Sequence, residues 1–305
     1  MKKTSLKEIE QMILENNDYQ NIAALIKEKY SFPECMISYR YELYEVFKEY
    51  HHHDLYELMY IISGSATFFI EDKKYELVDG DMVLIAPNLL HKLVSFNSEK
   101  CERVVINFTE NYAKKFQTET TNILKVFELI KQKGMHKISF FPEKRKRLES
   151  VFDIMQKSML SDEYGDDLRF YIAYLEVMLL INRVYMRLPD EELIQKDIID
   201  PYVTKVIEYI NLNIHRKIQL NDIATHLSLS ISRISHIFKD VTGISIINYI
   251  IKKRLILAKE LLKDGENIKS VYTKCGFPDE ASFFRYFKKE YAITPKKYAL
   301  NISDN

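Results

Sequence analysis

The stretch 220-LNDIATHLSLSISRISHIFKDVTG-243 decides how the back third of this chain folds. Ile223, Ala224 and Leu227 fall on one face of a first short helix. Ser230 is placed to N-cap a second helix, whose Ile234, Ile237 and Phe238 face back toward the first. Ala224 is small where two helices must cross closely. Ser232, Arg233, Ser235, His236 and Lys239 are left on the outside of the second helix. The pattern predicts a helix-turn-helix with a second helix free to enter a DNA major groove.

The pattern recurs further on. An amphipathic helix over 202–213 (Val203, Val206, Ile207, Ile210) precedes the first unit, and a long helix over 245–264 follows it. Then comes 267-NIKSVYTKCGFPDEASFFRYFKKEYAITPKKY-298. Asn267 and Asp279 are placed to cap its two helices, and Phe283, Phe287 and Tyr291 make the buried stripe. Glu280, Ala281, Phe284, Arg285 and Lys288 lie on or near the outer side. Two such units joined by one helix present two recognition helices to successive major-groove segments. The charge supports this. Residues 201–305 hold 17 Lys+Arg against 10 Asp+Glu, whereas residues 1–200 hold 27 against 34, so a formal net charge of zero hides a basic back and an acidic front. Lys252, Lys253, Arg254, Lys288, Lys289, Lys296 and Lys297 are candidates to neutralise phosphates.

Over about one hundred residues this region resembles the DNA-binding domain of the AraC/XylS family of transcription regulators. The resemblance is carried by 222-DIATHLSLS-230, 236-HIFKDVTG-243, 254-RLILAKELL-262, 276-GF-277, 283-FFRYFKKEY-291 and 294-TP-295. Two positions depart from the family pattern. Tyr272 stands where a small Ala is usual, and Ala292 replaces the usual Gly after the last recognition helix, where a positive φ costs a non-Gly residue roughly 1 kcal/mol. The resemblance implies base contacts from Ser232, Ser235 and His236 in the first unit and from Glu280, Ala281, Phe284 and Arg285 in the second. By chemistry, Arg285 suits a bidentate contact to guanine and Phe284 a thymine methyl. Ser232 and Ser235 read equally well as ordinary small surface residues. The resemblance further implies double-stranded promoter DNA as partner, a homodimer, an activator working with RNA polymerase, and a sugar or related metabolite as effector.

Working forward from that domain, 188-LPDEELIQKDIIDP-201 reads as a linker between prolines. Before it, short runs rich in Tyr, Val, Ile and Phe alternate with turns: 39-YRYELYEVF-47, 56-YELMYII-62, 65-SATFFI-70, 74-KYELV-78, 82-MVLIA-86 and 103-RVVINF-108. Such spacing predicts an antiparallel sandwich or barrel over about 38–110. Helices are expected over 4–30, 111–133, 142–159 and 167–188, the last with Leu168, Ile172, Leu175, Leu179 and Arg183 on one stripe. The expected architecture is α+β. A cupin-like antiparallel β-barrel with flanking helices covers 1–187, a linker covers 188–201, and an all-α domain covers 202–300, with helix-turn-helix units at about 220–241 and 267–291. The three cysteines show no CxxC spacing, and the apolar run 171-YIAYLEVMLLI-181 is far short of a membrane span. A cytoplasmic protein with no membrane partner is expected.

The stretch 51-HHHDLYELMYIISG-64 carries the remaining chemistry. His51, His53 and Glu57, with His91 further on, resemble the two cupin motifs, in which four such side chains converge on one ion. On spacing alone all four ligands of a Zn²⁺, Fe²⁺ or Mn²⁺ site are present. The second motif is loose, because 87-PNLLH-91 lacks its inner Gly. The AraC resemblance implies instead that these groups shape an effector pocket without a metal. The expectation is therefore an effector pocket of His51, His53, Glu57, His91 and Tyr41, no cofactor and no enzyme activity. A metal-dependent cupin enzyme fused to a DNA-binding tail, and a barrel that only dimerises, are the alternatives. Neighbouring side chains on a strand point to opposite faces, so only one of His51 and His52 can look inward. A blander reading places His52 in solvent and makes His53 and His91 satisfied core histidines.

Overall fold

The computed structural model describes residues 34–42, 49–94, 101–161, 163–189 and 199–303. The helical pattern at 4–30 lies outside the described residues, as do most of the linker and the far end of the 39–47 run.

Among the described residues, eight strands form two antiparallel sheets. They are β1 (Cys35–Glu42), β2 (Tyr56–Ser63), β3 (Ser65–Ile70), β4 (Lys73–Val78), β5 (Asp81–Ile85), β6 (His91–Val94), β7 (Cys101–Phe108) and β8 (Lys137–Ser139). One sheet runs β1-β7-β2-β5-β8 and the other β4-β3-β6. Strand alternation explains why β2, β5 and β7 carry apolar residues at both parities of their central runs. Met59, Ile61, Val83, Ile85 and Val105 pack between the sheets against Phe68, Ile70, Tyr75 and Leu93. Their neighbours Leu58, Tyr60, Met82, Leu84, Val104 and Ile106 face the other way, onto helices. A sheet covered on both faces needs apolar residues at both parities.

Those helices are α1 (Glu110–Lys114), α2 (Lys125–Lys133), α3 (Pro142–Leu160) and α4 (Asp166–Tyr185). The expected single helix over 111–133 is two helices. Residues 118-TETTN-122 interrupt it, and their backbone and side chains close turns such as Thr121 N–H to Thr118 Oγ1 at 3.0 Å. On α4 the stripe that begins with Leu168 and Ile172 is not the buried face. Phe170, Ala173, Tyr174, Val177, Met178 and Ile181 are the buried face, while Leu168 and Ile172 are 59% and 65% exposed.

The C-terminal part is all helical: α5 (Pro201–Asn213), α6 (Leu220–His226), α7 (Ile231–Thr242), α8 (Ile246–Lys263), α9 (Ile268–Lys274), α10 (Glu280–Tyr291) and α11 (Pro295–Ser303). Each expected cap forms. Ser230 accepts from Arg233 N–H, Asn267 from Ser270 N–H and Asp279 from Ser282 N–H. Ala292 terminates α10 with φ 59°, in the left-handed region. Val271 is the fully buried residue of α9, and Tyr272 beside it is half-buried against the second unit's core. No helix among the described residues is long and apolar enough to cross a membrane.

The two parts are not independent. Tyr50, Phe69 and Leu90 of the barrel share one buried cluster with Val203, Ile207, Ile234, Phe238 and Tyr249 of the helical domain.

Candidate functional site

His53, Glu57 and His91 come together: one ligand-type atom from each lies within 4.8 Å of the other two. The fold explains the convergence. Glu57 is the second residue of β2, at the same parity as Met59 and Ile61, so its carboxylate enters the space between the sheets. His91 opens β6. Residue 51 lies beside it as an antiparallel bridge, with His51 N–H to His91 O at 3.0 Å and His91 N–H to His51 O at 2.9 Å. His51 is adjacent but outside the three-donor group, its ring 4.3 Å from that of His91 and 6.4 Å from that of His53. Tyr41 lies on β1 opposite Glu102, and its side chain is outside the described residues.

Backbone carbonyls orient both imidazoles of the trio. His53 Nδ1 donates to Leu55 O at 3.0 Å and His91 Nδ1 to Leu89 O at 2.8 Å. A carbonyl only accepts, so each Nδ1 carries hydrogen and each Nε2 faces the site. His53 Nε2 is 3.0 Å from Glu57 Oε2. His91 Nε2 is buried with no hydrogen-bond partner among the described residues. Burial holds the His91 imidazole down to about 3, which keeps it neutral. Burial would raise Glu57, but the hydrogen bond to His53 and nearby cationic groups outweigh it and hold the carboxyl at about 2.

The intervening residues point the other way. Tyr50 N–H reaches Thr242 O at 3.4 Å, and its ring meets that of Tyr249 edge-on at 6.4 Å. Asp54 pairs with the buried Lys259 of α8. His52 is not in solvent, as the blander reading has it: its side chain is 3% exposed and contacts Glu290 of α10 at 3.2 Å. His51 and His52 face opposite ways, one toward His91 and the other toward Glu290. What covers His52 is the second helix-turn-helix unit.

A second tie centres on Glu71. Its carboxylate accepts from Tyr249 O–H at 2.8 Å and from Lys253 Nζ at 3.1 and 3.2 Å, and its carbonyl accepts from Tyr50 O–H at 2.6 Å. Lys92 Nζ reaches Val241 O at the end of α7. None of these six positions (Tyr50, Asp54, Glu71, Tyr249, Lys259, Glu290) was legible as a site, because each acts through a partner distant in sequence.

On the helical domain, Ser232, Arg233, His236 and Lys239 are exposed on α7, and Ser235 is half-buried. His236 Nδ1 is 2.8 Å from Asp240 Oδ2. Glu280, Ala281, Arg285 and Lys288 are exposed on α10. Phe284 is half-buried against Phe283 at 5.9 Å, so only part of its ring faces outward. The Arg285 guanidinium lies 5.1 Å from the ring of Tyr286. Three of the proposed phosphate cations are committed elsewhere. Lys252 pairs with Glu290 at 2.7 Å and Lys253 with Glu71, and Arg254 is buried, donating to Ile214 O at 3.3 Å and Arg216 O at 2.5 Å. Lys288, Lys289, Lys296 and Lys297 are exposed.

A β-domain with a convergent polar site, joined to tandem helix-turn-helix units with open recognition faces, defines a ligand-responsive DNA-binding regulator. Comparison with known proteins agrees. A family described as AraC-like ligand binding domain matches residues 31–168, and one described as helix-turn-helix domain matches residues 223–301. The chain belongs to the AraC-type transcription regulators. It is 25% identical over 262 residues to the probable transcriptional regulator LumQ of Photobacterium leiognathi, covering 86% of this chain and 96% of that one. It is 23% identical over 254 residues to the transcriptional activator RhaR of Mannheimia succiniciproducens, covering 81% and 86%. A match to the regulatory protein PocR of Salmonella typhimurium, 30% identical over 107 residues, spans 35% of each chain.

Proposed function

We propose that ligand binding at His53, Glu57 and His91 is passed to the DNA-binding units through residues 50–54. One observation carries this reading. The segment alternates, with His51 and His53 facing the site while Tyr50, His52 and Asp54 hold α7, α8 and α10. A ligand that draws His53 inward displaces His52 and Asp54 with it. A shift of this kind biases DNA binding only if the contacts differ between bound and free states, and such couplings amount to about 5- to 150-fold in affinity.

The remaining assignments follow the same reading. Ser232, Arg233, Ser235, His236, Lys239, Glu280, Ala281, Phe284, Arg285 and Lys288 meet promoter DNA. The protein works in the cytoplasm as an activator that engages RNA polymerase, on an operon of the sugar-utilisation type, and carries out no catalysis. That RhaR is named an activator favours the first part. A second copy of the chain pairs through the outward stripe of α4, where Leu168 and Ile172 leave an apolar row that solvent does not favour.

The test uses an operator fragment selected from random DNA. His52→Ala and Asp54→Ala each cut one tie between segment 50–54 and the helical domain. Each is expected to change operator affinity or reporter output by at least about fivefold. Wild-type affinity and output in both variants would sink the relay.

A further inference from the structure

A cavity of about 350 Å³ lies where the barrel meets the helical domain. Its floor is apolar, made by Ile70 of β3, Leu89 of the β5–β6 loop, and Phe127 and Ile130 of α2. Its rim carries charges of both signs. Glu71 and Asp72 come from the turn between β3 and β4, Lys73 opens β4, Lys131 stands on the last turn of α2, and Lys253 comes from α8. Two of the three lysines are engaged. Lys253 neutralises Glu71 at 3.1 Å, and Lys73 donates to Gly134 O at 2.6 Å. Three polar groups are left for the cavity. Asp72 and Lys131 have no ion pair and no side-chain hydrogen bond among the described residues. The third is His136, only 8% exposed. Its Nδ1 donates to Leu84 O at 3.0 Å, and burial pushes the imidazole down to about 4, which keeps it neutral. Its Nε2 is therefore an acceptor, and it has no hydrogen-bond partner among the described residues.

We propose that this cavity binds a free α-amino acid with a hydrocarbon side chain, its ammonium held by Asp72 and His136 Nε2 and its carboxylate by Lys131. The site is separate from that of His53, Glu57 and His91 and shares no residue with it. The two open charges select the ligand class. A simple carboxylate answers Lys131 but faces Asp72, and a simple amine answers Asp72 but faces Lys131. A neutral sugar answers neither charge and leaves the apolar floor against hydroxyls. A zwitterion carries both signs on neighbouring carbons, and its ammonium has hydrogens to donate to a carboxylate and to an imidazole lone pair at once. The side chain then covers Ile70, Leu89, Phe127 and Ile130, where burial of hydrocarbon supplies affinity. The volume lies at the low end for small-molecule sites, as a ligand of this size needs. Asp72, Lys131 and His136 belong to the barrel part, while Asn211 of α5 and Lys253 of α8 close the cavity from the helical domain. A ligand seated between the two therefore stabilises their docked arrangement by mass action. It does so beside Glu71, whose carboxylate already ties Tyr249 and Lys253 to the barrel.

The experiment uses the full-length protein. L-valine, L-leucine and L-phenylalanine are first compared by the melting temperature they give at millimolar concentration. The one with the largest rise is titrated by calorimetry into wild type, Asp72→Asn and Lys131→Ala. Two analogues of it are titrated into wild type, the amine that lacks the carboxylate and the acid that lacks the amino group. The expected result is one amino acid per chain. Affinity should be lowered at least about tenfold for each analogue and in each variant, the worth of one hydrogen bond to a charged group. Asp72→Asn keeps the side-chain shape and Lys131→Ala alters an exposed position, so either decides alone if the other does not fold. The proposal is overturned if none of the three amino acids raises the melting temperature or binds. It is overturned equally if either analogue binds as tightly as its parent, which would make the cavity a site for a simple anion or amine. Wild-type affinity in a folded variant would place the amino acid elsewhere and overturn it as well.

Discussion

Replacing Glu71 by Ala tests whether the barrel and the helical domain are one cooperative unit. The carboxylate accepts from Tyr249 O–H at 2.8 Å, from Lys253 Nζ at 3.1 and 3.2 Å and from Leu90 N–H at 3.2 Å. Tyr249 and Leu90 are both 0% exposed, so water does not replace the lost acceptor at either. A hydrogen bond to a charged group contributes about 1.5–3 kcal/mol, and an orphaned buried donor costs about 1–3 kcal/mol. Lys253, 21% exposed at its side chain, recovers part of its loss from solvent. The expected destabilisation is about 3–5 kcal/mol, near the cost of breaking a buried pair. The assay is urea unfolding followed by far-ultraviolet circular dichroism and by tyrosine fluorescence. Wild type is expected to show coincident transitions, and Glu71→Ala to split them as the helical domain unfolds apart from the barrel. A cycle with Tyr249→Phe isolates the central contact, with an expected coupling of about 1–3 kcal/mol. If the two substitutions add to within about 0.5 kcal/mol, or if Glu71→Ala leaves the midpoint unchanged, the Glu71 clamp is refuted.

Three further outcomes are expected. Ala292→Gly relieves a left-handed residue at φ 59° and should raise stability by about 1 kcal/mol, read as a higher melting temperature; a fall would mean that the alanine methyl is needed for packing. His136 donates from Nδ1 to Leu84 O at 3.0 Å, and burial lowers it to about 4. Its folded value lies below its ordinary 6.5, so its contribution is present above pH 6.5 and is lost as pH falls toward about 4, by about 3 kcal/mol. Asn keeps the donor without titrating. His136→Asn should therefore flatten the melting-temperature profile of metal-free protein over that window, leaving the same-direction share from His91, and an unchanged slope would refute the assignment. Arg285→Ala should cost about 1–3 kcal/mol at the selected operator and relax one base position. An equal loss on all sequences would make Arg285 a phosphate contact.

What the sequence made legible was local. The caps at Ser230, Asn267 and Asp279, the buried stripes of both helix-turn-helix units and the strand β2 all follow from side chains a few residues apart, where period and capping chemistry act. Even the positive φ at Ala292 was readable, because it belongs to the end of one helix. Two strands escaped for want of local signal. The strand β6 is the four residues HKLV, and β8 has only three. Neither has the length or the β-branched content that marks a strand. The stripe of α4 was read correctly as apolar, but period alone does not say which of two apolar faces meets the barrel. The larger omission lies between the domains. A lysine in a basic helix reads as a phosphate contact until the fold sets Glu71 beside Lys253 and Asp54 beside Lys259. A triple histidine reads as one solvent-exposed ring between two candidate ligands until α10 covers His52. Residues 50–54 lie outside the named strands, with His51 bridged to His91, yet their side chains alternate, and a sequence read as extended chain already separates residues facing the site from residues facing away. What it lacks is the identity of the covering surface. That surface is the DNA-binding domain, so the same alternation that packs the barrel also sets the contacts between the two halves.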